Sequence, residues 1–116
     1  MLRVYGNWVA RQLKLLQDWQ HIANLVTRIA KKIDPGCEVY VFGSVVEGEY
    51  TGASDIDVLV LTSIEPKRMY RELSLQLWRE LGDDSAIIDL HVARLIDRDK
   101  PPYKWWLRRA KRIGSI

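Results

Sequence analysis

The sequence predicts an α/β fold of the α+β type: a small mixed sheet of three or more strands flanked by helices. Three observations predict it. A helix-period apolar stripe occupies the first third of the chain, short β-branched runs punctuated by glycine follow it, and a second amphipathic stretch separates the last two runs. At 116 residues, with 47% apolar and 28% charged side chains, the chain suits one hydrophobic core rather than two.

The opening helix is expected from about Asn7 to Ile33. Leu15, Trp19, Ile22, Val26, Ile29 and Ile33 recur at steps of three and four, and Asp34-Pro35-Gly36 ends the run. EVYVF, from Glu38 to Phe42, is apolar on both faces after its first residue, as a central strand requires. Gly43-Ser44 stops it abruptly, with Ser44 expected to open a short helix through about Gly48 and GEYTG (Gly48–Gly52) reading as a turn. Ser54 to Leu61 is the second strand. Pro66 suits the first turn of a helix that runs to Leu81 and stops at Gly82, with Met69, Leu73, Leu77 and Leu81 on one face. Ala86 to Ala93 is the third strand. After Pro101-Pro102, YKWWLRRAKRI reads as a short basic amphipathic helix. Residues 1–93 form the expected core, and 94–116 a basic extension packed on the same domain.

Cys37 is the sole cysteine, which excludes an internal disulfide and a cysteine-rich metal site; a small buried thiol is expected. No run approaches the ~20 apolar residues that span a bilayer, and MLRVYGNWVARQ has no signal-peptide h-region, so a cytoplasmic location is expected. The net charge of +3 is uneven: eight basic residues face only Asp97 and Asp99 from Arg94 onward. Such a tail suits nucleic acid, an acidic partner or solvent.

The chemistry lies in the strands. Asp55 and Asp57, spaced i, i+2 in the expected second strand, share a face with Cα atoms roughly 7 Å apart. Asp89 stands inside the third apolar strand, with Ile88 and Leu90 turned the other way. Burying two unpaired carboxylates costs several kcal/mol each, against a total stability of roughly 5–15 kcal/mol. Arginine partners, protonation, a divalent cation or exposure of the strand end would relieve that cost. The three carboxylates sit on neighbouring expected strands with no basic residue between them, so they form a better oxygen cage for Mg²⁺ than a salt-bridge cluster. A pair of such ions supports phosphoryl-type chemistry. Gly43 allows close approach of a phosphate to the backbone, and Ser44 offers a hydroxyl. His91 shares the face of Asp89 and edges the site without being assigned as a ligand.

Together VFGS (Val41–Ser44), SDIDVLV (Ser54–Val60) and IIDLHV (Ile87–Val92) resemble the signature of the minimal nucleotidyltransferase family, within the superfamily typified by DNA polymerase beta. The resemblance covers roughly Asn7 to Ala93. It implies the polymerase-beta-like nucleotidyltransferase fold, with Asp55 and Asp57 binding two Mg²⁺ (or Mn²⁺) ions that carry a nucleoside triphosphate. Asp89 would complete the metal and catalytic set and activate the acceptor, and Gly43 and Ser44 would hold the phosphates. The implied reaction transfers NMP, as AMP from ATP, to a hydroxyl with release of pyrophosphate. Such proteins are commonly paired with a HEPN-type toxin and can serve as its antitoxin, which implies a partner chain and an oligomer. Family members often carry arginine soon after Gly-Ser, where this sequence has Val45, Val46 and Glu47; Arg11 and Lys67 are candidates to supply the charge. Two other function classes fit the residues: a module with a degenerate site that neutralises a partner by occlusion, and a nucleic-acid-binding protein that uses the basic tail.

Overall fold

The computed structural model describes residues 2–114. Helix α1 (Leu2–Gln17) and helix α2 (Trp19–Ile33) lead into strand β1 (Glu38–Phe42), a single turn of helix α3 (Ser44–Glu47) and strand β2 (Ile56–Thr62). Helix α4 (Pro66–Leu81), strand β3 (Ile88–Arg94), short helix α5 (Tyr103–Trp106) and strand β4 (Lys111–Ile113) complete the order. The strands lie in the order β3-β2-β1-β4. β1 pairs antiparallel with both β2 and β4, whereas β2 and β3 are parallel. A parallel pair needs a crossover, and α4 supplies it.

One sheet face packs on α2 and α4. Ile22, Val26 and Ile29 of α2 and Met69, Leu73 and Leu77 of α4 meet Val39, Val41, Ile56, Val58 and Val60, all buried. The period-3.6 stripes and the period-2 strand faces therefore meet as the sequence requires. The opposite face is covered at one end only. There Tyr40, Leu59, Leu61 and Ala93 are roofed by Leu95, Tyr103, Trp106 and Leu107. Cys37 is fully buried, and its burial raises the thiol pKa.

The structure departs from the sequence reading in four places. The expected single helix is two, interrupted at Asp18 (φ −92°, ψ 21°); its apolar stripe belongs mainly to α2. Strand β2 starts at Ile56 rather than Ser54, because the chain is still turning: Ser54 N–H donates to the Thr51 carbonyl at 3.0 Å, and Thr51 N–H to Ser54 Oγ at 2.9 Å. β3 starts two residues late, after a 3₁₀ segment at Gly82–Ile87. Within YKWWLRRAKRI the chain is helical only over α5 and a 3₁₀ turn (Leu107–Arg109), then becomes β4 because the free edge of β1 offers a hydrogen-bonding partner. α4 has the expected bounds.

Asp34, read from sequence as part of a helix stop, is a buried structural carboxylate. It accepts from Thr62 Oγ1 (2.7 Å), Ser63 N–H (2.8 Å), Ser63 Oγ (2.9 Å) and Gly36 N–H (3.1 Å), tying the end of α2 to the end of β2. No helix among the described residues is long and apolar enough to cross a membrane.

Candidate active site

The sheet register sets the site. Phe42 of β1 lies opposite Asp57 of β2, which lies beside Asp89 of β3, so one row crosses three strands. These three side chains are on the face away from α2 and α4, because Ile56, Val58, Ile88 and Leu90 occupy the other. Asp89 is half exposed (51%) on the edge strand, and Asp57 is partly buried beside it. The cost of carboxylates in an apolar strand is thus relieved in part by an open rim.

Asp57, Asp89 and His91 each bring one donor atom to within 4.8 Å of the others. His91 Nε2 is 3.2 Å from Asp89 Oδ2. The histidine ring is further held by aromatic neighbours, its centroid 4.7 Å from Trp106 and 5.8 Å from Phe42. Trp106 in turn stacks on Phe42 at 4.8 Å, with planes 10° apart, and Tyr103 meets it edge-on. The C-terminal segment therefore forms a wall of the site. Of the adjacent tryptophans, Trp106 packs on the sheet and Trp105 is 54% exposed.

Burial, then the charge of Asp89 and a hydrogen bond to it, pushes the Asp57 carboxyl up to about 6; His91 opposes the shift and Asp55 adds to it. Two carboxylates so close favour sharing a proton or a cation. Two oxygens and an imidazole nitrogen form a donor set that fits a divalent metal, since a bound cation would remove the repulsion that raises Asp57.

Gly43 lies directly against the Asp57 carboxylate. Its φ of +83° is costly for residues with a Cβ, and a Cβ there would strike the Asp57 carboxylate. Ser44 opens α3 directly beside it, as expected, and Gly48 in the left-handed region (φ 74°) closes the turn.

Asp55 is not brought into this group. It precedes β2, is exposed, and contributes no donor to the Asp57–Asp89–His91 cluster. Pairing with β3 begins at Ile56, so Asp55 stands one residue before the ladder, where its charge still adds to the upward shift of the Asp57 carboxyl. His91 was legible as a neighbour, being two residues from Asp89 on one strand face. The aromatic wall and the partner of Glu47 were not: Arg109 Nη1 lies 3.1 Å from Glu47 Oε1, joining residues far apart in sequence. Arg11 pairs with Asp84 at 2.8 Å, and Lys67 lies beyond the end of β2 opposite Asp57.

Residues 22–111 match the family model described as "Nucleotidyltransferase domain". The chain belongs to that family. The matched span runs from α2 into β4, so it contains every strand residue of the site. No curated protein matches the chain in sequence. Among solved structures, a "putative nucleotidyltransferase" from Sulfolobus solfataricus is similar at a TM-score of 0.56 and 20% identity, over 90% of this chain and 84% of that one. That likeness concerns the fold. The family membership makes this nucleotidyltransferase domain a transferase by descent and a nucleotide its substrate class.

Proposed function

We propose that this nucleotidyltransferase domain is an active, divalent-metal-dependent enzyme of the cytoplasm that transfers NMP, as AMP from ATP, to a hydroxyl acceptor. The observation that carries the reading is the Asp57–Asp89–His91 cluster lying against Gly43, on the open part of the sheet face. Asp57 and Asp89 would hold Mg²⁺ or Mn²⁺, with Asp55 reaching in from the turn before β2 as a further ligand. Bound metal would supply charge neutralisation at the phosphates and a more acidic acceptor oxygen.

The remaining work falls to the chain itself. Gly43 lets phosphates approach the backbone, and the Ser44 hydroxyl donates to them. Asp89, accessible on the edge strand and oriented by His91, takes the proton of the attacking hydroxyl. Attack at the α-phosphorus forms the new P–O bond and breaks the bond to pyrophosphate, which leaves. The acceptor is assigned to a partner chain of the HEPN type, with this chain as its antitoxin; the family resemblance supports that assignment.

The test is pyrophosphate release from ATP with Mg²⁺ and the partner. Wild type should release it, and Asp57→Asn and Asp89→Asn should each lose at least about a hundredfold in rate. Equal inertness of wild type and variants across nucleotides, metals and partner would sink the catalytic reading. It would favour the occlusion module, in which Asp57→Asn still neutralises the partner. The nucleic-acid reading is weakened by internal pairing of the tail: Arg98 and Arg112 engage Glu38, Arg94 and Lys100 engage Asp97, and Arg109 engages Glu47.

A further inference from the structure

A nucleoside triphosphate is strongly anionic, and the side chains around the cluster are acidic. Asp57 and Asp89 form its centre, Asp55 precedes β2, and Glu47 closes α3 one helical turn from Gly43. Metal can offset part of that charge. A phosphate-binding site also needs fixed donors, and arginine is the side chain best shaped for them.

Two routes through the fold lead to the turn that carries Arg109, and the first of them ends on its guanidinium. From Asp57, the path runs to Gly43, against which the carboxylate lies, and then through the single turn of α3, where Glu47 N–H donates to the Gly43 carbonyl at 3.3 Å. Glu47 Oε1 then accepts from Arg109 Nη1 at 3.1 Å. From Asp89, the path runs to His91 at 3.2 Å, to the ring of Trp106 at 4.7 Å, and three residues along the 3₁₀ turn to Arg109. Three other arginines are paired at a distance from the cluster. Arg98 and Arg112 are held at Glu38, the start of β1, and Arg11 is held by Asp84.

Resting on the nucleotidyl-transfer reading, we propose that Arg109 is the phosphate-binding residue of this site, delivered by the C-terminal segment, and that Glu47 holds it until a triphosphate displaces the carboxylate. The pair is suited to exchange. The Arg109 side chain is 84% exposed and Glu47 35%, so their bond is a weak, solvent-screened one. One Nη is engaged, which leaves the other edge of the guanidinium for a bidentate contact with phosphate. Trp106, fixed between Phe42 and His91, keeps the segment at the rim of the cluster while Arg109 changes partner.

The test is calorimetric titration of the full chain with Mg²⁺ and α,β-methylene ATP, with adenosine titrated in parallel. Arg109→Ala should weaken binding of the analogue about tenfold and leave adenosine unchanged. Glu47→Gln, which removes the competing charge and keeps the side-chain shape, should tighten analogue binding severalfold only while Arg109 is present. Arg108→Ala should match wild type. Binding by wild type that Arg109→Ala leaves unaltered, or that Arg108→Ala weakens equally, overturns the assignment of Arg109. Tightening by Glu47→Gln in the Arg109→Ala background overturns the role of Glu47. No binding of the analogue by wild type overturns the nucleotidyl-transfer reading, and this inference with it.

Discussion

Gly43 and Asp57 are matched across the β1–β2 pair: the carboxylate occupies the space that a Cβ on the glycine would fill, and Gly43 holds a φ of +83°. Gly43→Ala therefore meets two penalties, a strained backbone and a displaced carboxylate. The expected cost is about 1–3 kcal/mol in urea unfolding. Loss of the metal-induced thermal shift should accompany it. An alanine variant with unaltered stability and metal response would show that the close approach has no consequence.

Asp57 gives the metal-free protein a distinctive pH response. Its carboxyl, raised from the ordinary carboxylate value of 3.8 to about 6, binds its proton more tightly in the fold than in the unfolded chain. Its contribution to stability is thus fully present below about 3.8 and is lost as pH rises through about 6. Thermal melts in chelator should fall across that window for wild type, whereas Asp57→Asn should be flatter and more stable at pH 7. Divalent metal should restore wild-type stability above pH 6, and a proton should displace it below.

Asp34 behaves in the opposite sense. Burial alone would raise its pKa, but hydrogen bonds from Thr62, Ser63 and Gly36 outweigh burial and hold the carboxyl below its ordinary value. Its contribution is present above about pH 4 and is lost as pH falls through the lowered pKa. Asp34→Ala strands the buried Thr62 hydroxyl and the donors of Ser63, at an expected cost of about 2–4 kcal/mol by urea unfolding at pH 7.

The two adjacent tryptophans should separate cleanly. Trp106→Ala removes a ring stacked on Phe42 and packed against His91 and Tyr103, with an expected cost of about 2–4 kcal/mol. Trp105→Ala removes an exposed ring and should stay within about 0.5 kcal/mol of wild type. Equal effects in denaturant titration would contradict the packing.

Much of this architecture is written in local periodicity. The stripe from Ile22 to Ile29, the bounds Pro66–Leu81 and the two-faced strand Glu38–Phe42 each follow from side-chain spacing and a flanking proline or glycine. Asp57, Asp89 and Gly43 were legible for a related reason: carboxylates in apolar strands and a glycine at a strand end are locally anomalous. What depends on pairing between distant segments was not legible. The turn that Thr51 and Ser54 close delays the start of β2 to Ile56, which leaves Asp55 one residue before the strand. β4 forms because β1 has an open edge, which the composition of Lys111–Ile113 does not announce. The ion pair of Glu47 with Arg109 and the stack of Trp106 on Phe42 join residues that only the folded chain brings together.

In the proposed reaction Asp57 and Asp89 hold the divalent metal that carries the triphosphate. Electron paramagnetic resonance titration of Mn²⁺ into the chain, with and without α,β-methylene ATP at pH 7.5, measures that binding. Wild type should remove Mn²⁺ from the free-ion signal, more strongly with the analogue present, and Asp57→Asn and Asp89→Asn should each leave it free. Equal Mn²⁺ binding by wild type and both variants, or none by any, would contradict the claim.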